Sequence, residues 1–265
     1  MPETHFFEQQ DGSKIAYKIF ESHESKNMKN EPPLVFIIGL WSPKEFFMGL
    51  EEDLAKNRKV ILLDNRGIGE SSVISSDDPI SIDLMAQDII ALVKHLGIKR
   101  FNLLGWSMGG LIATFIALDV PSDLKLEKLV LIACTVQPIV NPSFETLYNL
   151  PEFDFPKSIQ EQRDAIPKKF EKNCVDYLLE HPDKFDKFAE IMFNTRRPFE
   201  IFKRQWEAIK IANNGNFVSK LSTIKVPTLL IHGEADESVS IEDSELLDRE
   251  IPNTKFLRIP KAGHM

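Results

Sequence analysis

The chain has 265 residues, 43% hydrophobic and 27% charged. That composition suits one large α/β domain, or one domain carrying an insertion, and excludes disorder as the default. Its 32 Lys and Arg against 40 Asp and Glu give a formal charge of −8, an acidic body that repels phosphate backbones and removes nucleic acid from the expected partners.

Cys134 and Cys174 are the only cysteines; they make neither a disulfide framework nor a metal cluster and are read as reduced thiols rather than a single bridge. The N-terminus lacks the basic and apolar regions of a secretory signal. No apolar run approaches the roughly 18–20 residues of a membrane span. The expected location is therefore the cytoplasm. Nothing in the sequence fixes an oligomeric state.

From residue 6 to 20, two short strand-like runs flank Asp11-Gly12, a hairpin-turn dipeptide. Residues 21–33 are charged, end in two prolines and read as a loop. Short apolar runs then alternate with helical periods. Residues 34–40 (LVFIIGL) read as a buried strand, 44–57 as a helix and 59–64 (KVILLD) as a strand ending in a Gly-rich loop. Ile82, Met85, Ile89, Val93 and Leu96 share one helical face, with Gly97 near its end. Residues 101–104 form the next run, leading into Ser107 and an apolar helix over 109–118; residues 129–133 (LVLIA) are a further strand. Continuous apolar strands separated by helices predict a parallel sheet covered on both faces, with the opening hairpin as an antiparallel edge. The fold class is therefore a doubly wound, mostly parallel α/β sheet.

The alternation breaks over residues 137–223, which read as mostly helical with long charged faces. Residues 227–231 (PTLLI) restore the strand pattern, a helix follows over 241–250, and 255–259 is the last strand. The chain thus divides into a core of residues 1–136 and 224–265 and a helical insertion of 137–223, placed as a lid over a site.

Gly105-Trp106-Ser107-Met108-Gly109 matches G-x-S-x-G and sits where a strand run meets a helix. A nucleophile elbow holds its serine in a strained strand-to-helix turn, and small residues two positions either side avoid collisions there. The helix N-terminus favours developing negative charge. A serine hydroxyl needs a base, and the base an orienting acid, in the chain order Ser, acid, His, each after a strand. His264 follows the last strand in Lys261-Ala262-Gly263-His264. The acid belongs in the loop after PTLLI, where Asp236 competes with Glu234 and Glu237. His232 precedes the acid and reads as structural. An oxyanion hole would use the backbone N–H groups of Met108 and Leu40, the latter following the turn at Gly39.

These residues resemble the α/β-hydrolase superfamily, specifically its small lid-bearing esterases, lactonases and carbon–carbon hydrolases, over nearly the whole chain. Asp64-Asn65-Arg66-Gly67-Ile68-Gly69-Glu70-Ser71 looks like the family's D-x-R-G-x-G-x-S loop, which shapes the site without reacting. Residues 232–239 (HGEADESV) look like the acid loop, which puts Asp236 in the acid's place, and Gly263-His264 matches the histidine loop. The resemblance implies a Ser107–Asp236–His264 triad and a cap on residues 137–223. Many relatives carry His-Gly where this chain has Ile38-Gly39, so a side chain that often holds the oxyanion loop is missing. Relatives also continue past the catalytic histidine with a final helix, so the sequence is expected to be a truncation. Were Met265 a natural end, its carboxylate would favour a protonated base.

The expected activity is hydrolysis of a carboxylic ester, lactone or thioester of a small, apolar molecule through an acyl-enzyme, with no metal or organic cofactor. Aromatic residues of the insertion, among them Phe144, Phe153, Phe155, Phe199, Phe202 and Trp206, either pack the cap or line an apolar acyl pocket. The same triad serves carbon–carbon hydrolases, peptidases and acyltransferases. A ligand receptor on a retained hydrolase scaffold is the reading from outside enzymology.

Overall fold

The computed structural model describes residues 2–21, 31–74, 80–137 and 142–265; most of the loop expected over 21–33 and the first residues of the expected insertion lie outside them. Strand β1 (His5–Glu8) and β2 (Lys14–Phe20) form the opening hairpin. Gly12 takes a φ of +84° at its turn, and the Asp11 carboxylate accepts from the Ser13 amide at 2.9 Å. Strands β3 (Leu34–Ile37), β4 (Val60–Leu63), β5 (Arg100–Trp106), β6 (Lys125–Ile132), β7 (Thr228–Gly233) and β8 (Thr254–Ile259) complete one eight-stranded sheet in the order β1-β2-β4-β3-β5-β6-β7-β8. The pairs β1–β2 and β2–β4 are antiparallel and all others parallel.

Although each central strand reads as one apolar run, its side chains divide between two layers, as the two-residue strand period requires. Val35, Ile37, Ile61, Leu63 and Leu103 face a core built with α2 (Ile82–His95), α3 (Met108–Leu118) and α9 (Ile241–Glu250). Leu34, Phe36, Ile38, Leu62 and Trp106 face a second core. The segment between β6 and β7 supplies α4 (Pro142–Tyr148), α5 (Ile159–Lys169), α6 (Lys172–Glu180), α7 (Pro182–Asn194) and α8 (Phe199–Asn213), followed by a 3-10 turn at Val218–Thr223. These helices are not detached from the sheet layers. Ile166, Phe185 and Phe188 complete the second core, and Trp206 and Ile209 enter the first.

Three expectations change. The helix predicted over 44–57 shrinks to α1 (Leu50–Ala55). Met48 and Gly49 both take positive φ, 50° and 123°, and the Lys44 amide and ammonium are held by Asp64 at 2.8 Å each, so the first turns cannot be helical. Strand β6 begins at Lys125 rather than 129, because its first half alternates charged and apolar residues and escapes a search for continuous apolar runs. Coverage of both sheet faces fails at one edge. Helix α9 packs on one side of β7 and β8, whereas Leu229 and Ile231 on the other are half-buried and Leu257, in register with Ile231, is 44% exposed. Both cysteines are buried free thiols. Among the described residues no helix is long and apolar enough to cross a membrane.

Candidate active site

Ser107 lies between the last residue of β5 and the first of α3, with φ 57° and ψ −124°. A non-glycine residue with positive φ costs on the order of 1–3 kcal/mol and persists only where the surroundings enforce it. They do so here: the Ser107 amide donates to Ile132 O of β6 at 2.9 Å, and α3 starts against β3. A Cβ on Gly109 would stand 2.2 Å from Ile37 O, and one on Gly105 2.3 Å from Gly109 O, so both flanking positions of the G-x-S-x-G turn accept only glycine. Ser107 occupies the cap position before α3, yet its side chain makes no capping bond. Its hydroxyl is left for other use.

The loop after β7 and the loop after β8 meet. Ala235 N donates to Ala262 O at 2.8 Å, and His264 Nδ1 stands 2.8 Å from Asp236 Oδ2. An ionised carboxylate only accepts, so Nδ1 carries the proton and Nε2 keeps its lone pair. The other Asp236 oxygen accepts from the amides of Ser238 and Val239, both at 2.8 Å. Burial pushes the Asp236 carboxyl up, but hydrogen bonds from His232 and His264, with the Val239 amide, outweigh it and hold the group well below the usual carboxylate range. Glu234 and Glu237, its rivals in sequence, are exposed. His232, read from sequence as structural, is also a partner of the acid. Its Nε2 lies 3.1 Å from Asp236 Oδ2 and 3.0 Å from Val239 O, while Nδ1 lies 2.7 Å from the Ser244 hydroxyl. With acceptors on one side and a hydroxyl on the other, the neutral Nε2–H form satisfies all three. Among the described residues no hydrogen bond joins Ser107 Oγ to His264; such bonds commonly tighten only when substrate is bound.

Gly39 brings the loop after β3 against the elbow: a Cβ there would stand 3.0 Å from Ser107 Cβ and 2.9 Å from the Trp106 ring. Among the described residues the Leu40 and Met108 amides donate to no protein acceptor. The next amide in the loop, that of Trp41, is taken by Gln205 Oε1 at 3.0 Å. This loop is held from beneath by Asn65, whose Nδ2 donates to Ile38 O at 2.8 Å. Asn65 belongs to the D-x-R-G-x-G-x-S loop, in which Asp64, Asn65, Arg66 and Ser71 are buried and hydrogen-bonded while Glu70 is exposed. Arg66 forks onto Asp88 at 2.9 and 2.6 Å and reaches Asp11 at 2.6 Å; Lys44 bridges Asp64 and Glu70 at 2.8 and 2.7 Å.

Sequence reasoning missed three residues here. Trp41 has φ 54°, and its indole N–H points to the carbonyls of Arg197 and Pro198 at 3.0 and 3.1 Å. Gln205, from α8, is fully buried. Glu171, before α6, accepts from His264 N at 2.7 Å, Ser238 Oγ at 2.6 Å and Glu237 N at 3.1 Å. Each acts on the site across a long stretch of chain, and no local pattern marks it. Six aromatic residues of the segment between β6 and β7 divide in two. Phe144 packs on Trp206, which is fully buried, whereas Phe153, Phe155, Phe199 and Phe202 surround Trp41 with ring centroids 5.1–6.1 Å away.

Residues 32–265 match the model of the alpha/beta hydrolase fold family, and the chain belongs to that family. It is 25% identical over 255 residues to the monoacylglycerol lipase ABHD6 of Bos taurus, covering 89% of this chain and 70% of that protein. It is also 25% identical over 275 residues to a proline iminopeptidase of Clostridioides difficile, covering 96% and 89%. The solved enol-lactonase from Burkholderia xenovorans LB400 superposes with a TM-score of 0.75 at 22% identity, over 96% of this chain and 91% of that one. At that identity the superposition speaks for the fold alone. The family and these relatives support an enzyme of the general hydrolase class.

Proposed function

We propose that the chain is a serine hydrolase that cleaves a carboxylic ester, lactone or thioester of a small molecule. Ser107 Oγ attacks the carbonyl carbon while His264 Nε2 takes its proton, and Asp236 holds the imidazole and stabilises the imidazolium that forms. The Leu40 and Met108 N–H groups receive the oxyanion. Collapse of the tetrahedral species expels the alcohol or thiol, which takes the proton from His264 and leaves an acyl-enzyme. Water then repeats the cycle, releasing the acid and restoring Ser107. Residues 137–223 act as a cap, with the aromatic group around Trp41 bordering the acyl pocket.

The observation that carries this reading is the pairing of His264 Nδ1 with a buried, ionised Asp236 at 2.8 Å, which leaves Nε2 as a free base. The unspent Ser107 hydroxyl in its strained elbow and the two uncommitted amides support it. Labelling by a fluorophosphonate probe, with p-nitrophenyl acetate turnover in parallel, tests it. Both signals are expected in the folded wild-type protein and both are expected to vanish in Ser107→Ala. Folded protein that neither labels nor turns over would refute the mechanism.

A further inference from the structure

Three cations are buried among the described residues: Lys44, Arg66 and Arg197, at 1%, 2% and 9% exposure. The first two are each matched by two or more carboxylates. Arg197 is not. Among the described residues no carboxylate lies within ion-pair distance of it, its Nε–H is buried without an acceptor, and its one hydrogen bond runs from Nη2 to Met192 O at 2.7 Å. Its guanidinium carbon sits 5.0 Å from the centre of the Trp41 ring, which offsets only part of the lost hydration. A second cation lies close by. Lys169 faces solvent, with its ammonium 4.3 Å from the centre of the Phe153 ring, and Phe153 meets Trp41 edge-on at 5.1 Å. Burial and the neighbouring Arg197 both pull the Lys169 ammonium below its ordinary range, while burial pulls Arg197 down to about 10. Arg197 stays charged at neutral pH. Asp154 acts on Lys169 from nearby, but in a chain with 40 acidic residues and a net charge of −8 the buried Arg197, with no carboxylate at ion-pair distance among the described residues, calls for a reason.

We infer that Arg197 and Lys169 form an anion subsite on the wall of the candidate active site, and that the substrate carries a carboxylate that seats there. The position follows from the chain. Trp41 is one peptide beyond Leu40, so their Cα atoms are about 3.8 Å apart, and the loop they share touches the elbow at Gly39. In this assignment a small molecule whose carbonyl reaches Ser107 extends along Trp41 towards Arg197. The rings of Trp41, Phe153 and Phe199 suit the apolar body of that molecule. A planar guanidinium beside flat aromatic rings suits a planar carboxylate.

This inference rests on the serine-hydrolase reading only for the location of the reacting carbonyl, so binding tests it without turnover. Titration calorimetry with 3-phenylpropionate and with the neutral 3-phenylpropionamide is expected to show about tenfold or greater preference for the acid in the wild-type protein, the size of one charge-assisted hydrogen bond. In Arg197→Gln that ratio is expected to fall to near one, and Lys169→Gln, altered at the solvent side, to reduce it severalfold. Kinetics should agree, with mono-p-nitrophenyl glutarate favoured over p-nitrophenyl pentanoate in kcat/KM by a similar ratio. Arg197→Met is expected to melt no lower than wild type, because it removes a desolvated charge; a large fall in Tm would make Arg197 structural and overturn the assignment. Equal binding of acid and amide, or a ratio unchanged in Arg197→Gln, would overturn it too, and inorganic phosphate displacing the probe at lower concentration than acetate would overturn the carboxylate. Fluorophosphonate labelling without acid preference counts against this subsite alone, and acid preference without labelling counts against the hydrolase mechanism alone.

Discussion

Glu171 Oε2 accepts a hydrogen bond of 2.7 Å from the backbone nitrogen of His264, and Oε1 of the same carboxylate accepts from Ser238 and Glu237 at 2.6 and 3.1 Å. One side chain from between α5 and α6 thereby ties the loop that carries His264 to the loop that carries Asp236. Trp106 Nε1 adds a bond to His264 O at 2.9 Å, so the backbone of His264 is held on both sides.

Removing that tie should loosen the base without touching substrate. Glu171→Ala is expected to lower kcat on p-nitrophenyl acetate about tenfold, since small misplacements of a catalytic group carry penalties of this order or more, while KM changes less than about threefold. Glu171→Gln keeps an amide oxygen for the His264 amide and is expected to recover most of the loss. Equal losses in both variants, or a loss confined to KM, would show that Glu171 does not position His264.

Gly109 offers a sharper steric test. Alanine there would place its Cβ 2.2 Å from Ile37 O and 2.7 Å from Ile37 C, backbone atoms that cannot yield unless β3 and α3 separate. Gly109→Ala is expected to lose at least about 3 kcal/mol in urea unfolding and all fluorophosphonate labelling. Gly97 is the control. It takes a φ of +67° with nothing within 4 Å of its would-be Cβ, so Gly97→Ala should lose about 1 kcal/mol from backbone strain and label normally.

Much of this architecture is legible in the chain because it depends on local pattern. The apolar runs at 34–37, 60–63 and 228–231 become strands, and G-x-S-x-G needs only a strand before it and a helix after it. The pairing of Asp236 with His264 is legible for a different reason: in a parallel sheet successive strand ends fall on one edge, so chain order alone brings the loops after β7 and β8 together. Gln205 bonds the Trp41 amide across 164 residues, and Glu171 bonds His264 across 93. Nothing in the run of residues around Gln205 or Glu171 distinguishes them from other polar members of a charged helical segment. In sequence His232 precedes the acid and reads as structural. Only the turn of 233–236, which folds Asp236 back onto it, reveals that it donates to that acid.

Two buried carboxylates predict a stability profile with opposite slopes. Burial pushes Asp243 up to about 6, partly offset by the Val136 amide. A folded pKa above the unfolded value near 3.9 favours the native state at pH below that value, and the contribution is lost as pH rises through about 6. Asp236 is depressed, so its contribution is present above about pH 4 and is lost as pH falls below it. Urea unfolding should therefore show stability rising as pH falls from 7 to about 5 and declining below about 4. Asp243→Asn, which keeps an oxygen for the Val136 amide, is expected to flatten the upper slope and to gain up to about 3 kcal/mol at pH 7. An upper slope unchanged in that variant would assign it to another group.

The oxyanion loop gives the last test, because its two supports come from different parts of the chain. Asn65 Nδ2 holds Ile38 O at 2.8 Å from beneath, and Gln205 Oε1 holds Trp41 N at 3.0 Å from α8, with Leu40 between them. If the Leu40 amide receives the oxyanion, losing either support should misdirect it. Asn65→Ala also leaves a buried carbonyl without its donor, a cost of about 1–3 kcal/mol. Its kcat on p-nitrophenyl acetate and its fluorophosphonate labelling rate are expected to fall together, by about 10- to 100-fold, with KM little changed. Gln205→Ala is expected to fall less, since water can replace its single acceptor oxygen. Because both side chains hold one loop, the double variant should lose less than the product of the two single losses. Strictly multiplicative losses would mean that Asn65 and Gln205 act on separate structures, and the Leu40 amide would then have to be replaced as the second oxyanion donor.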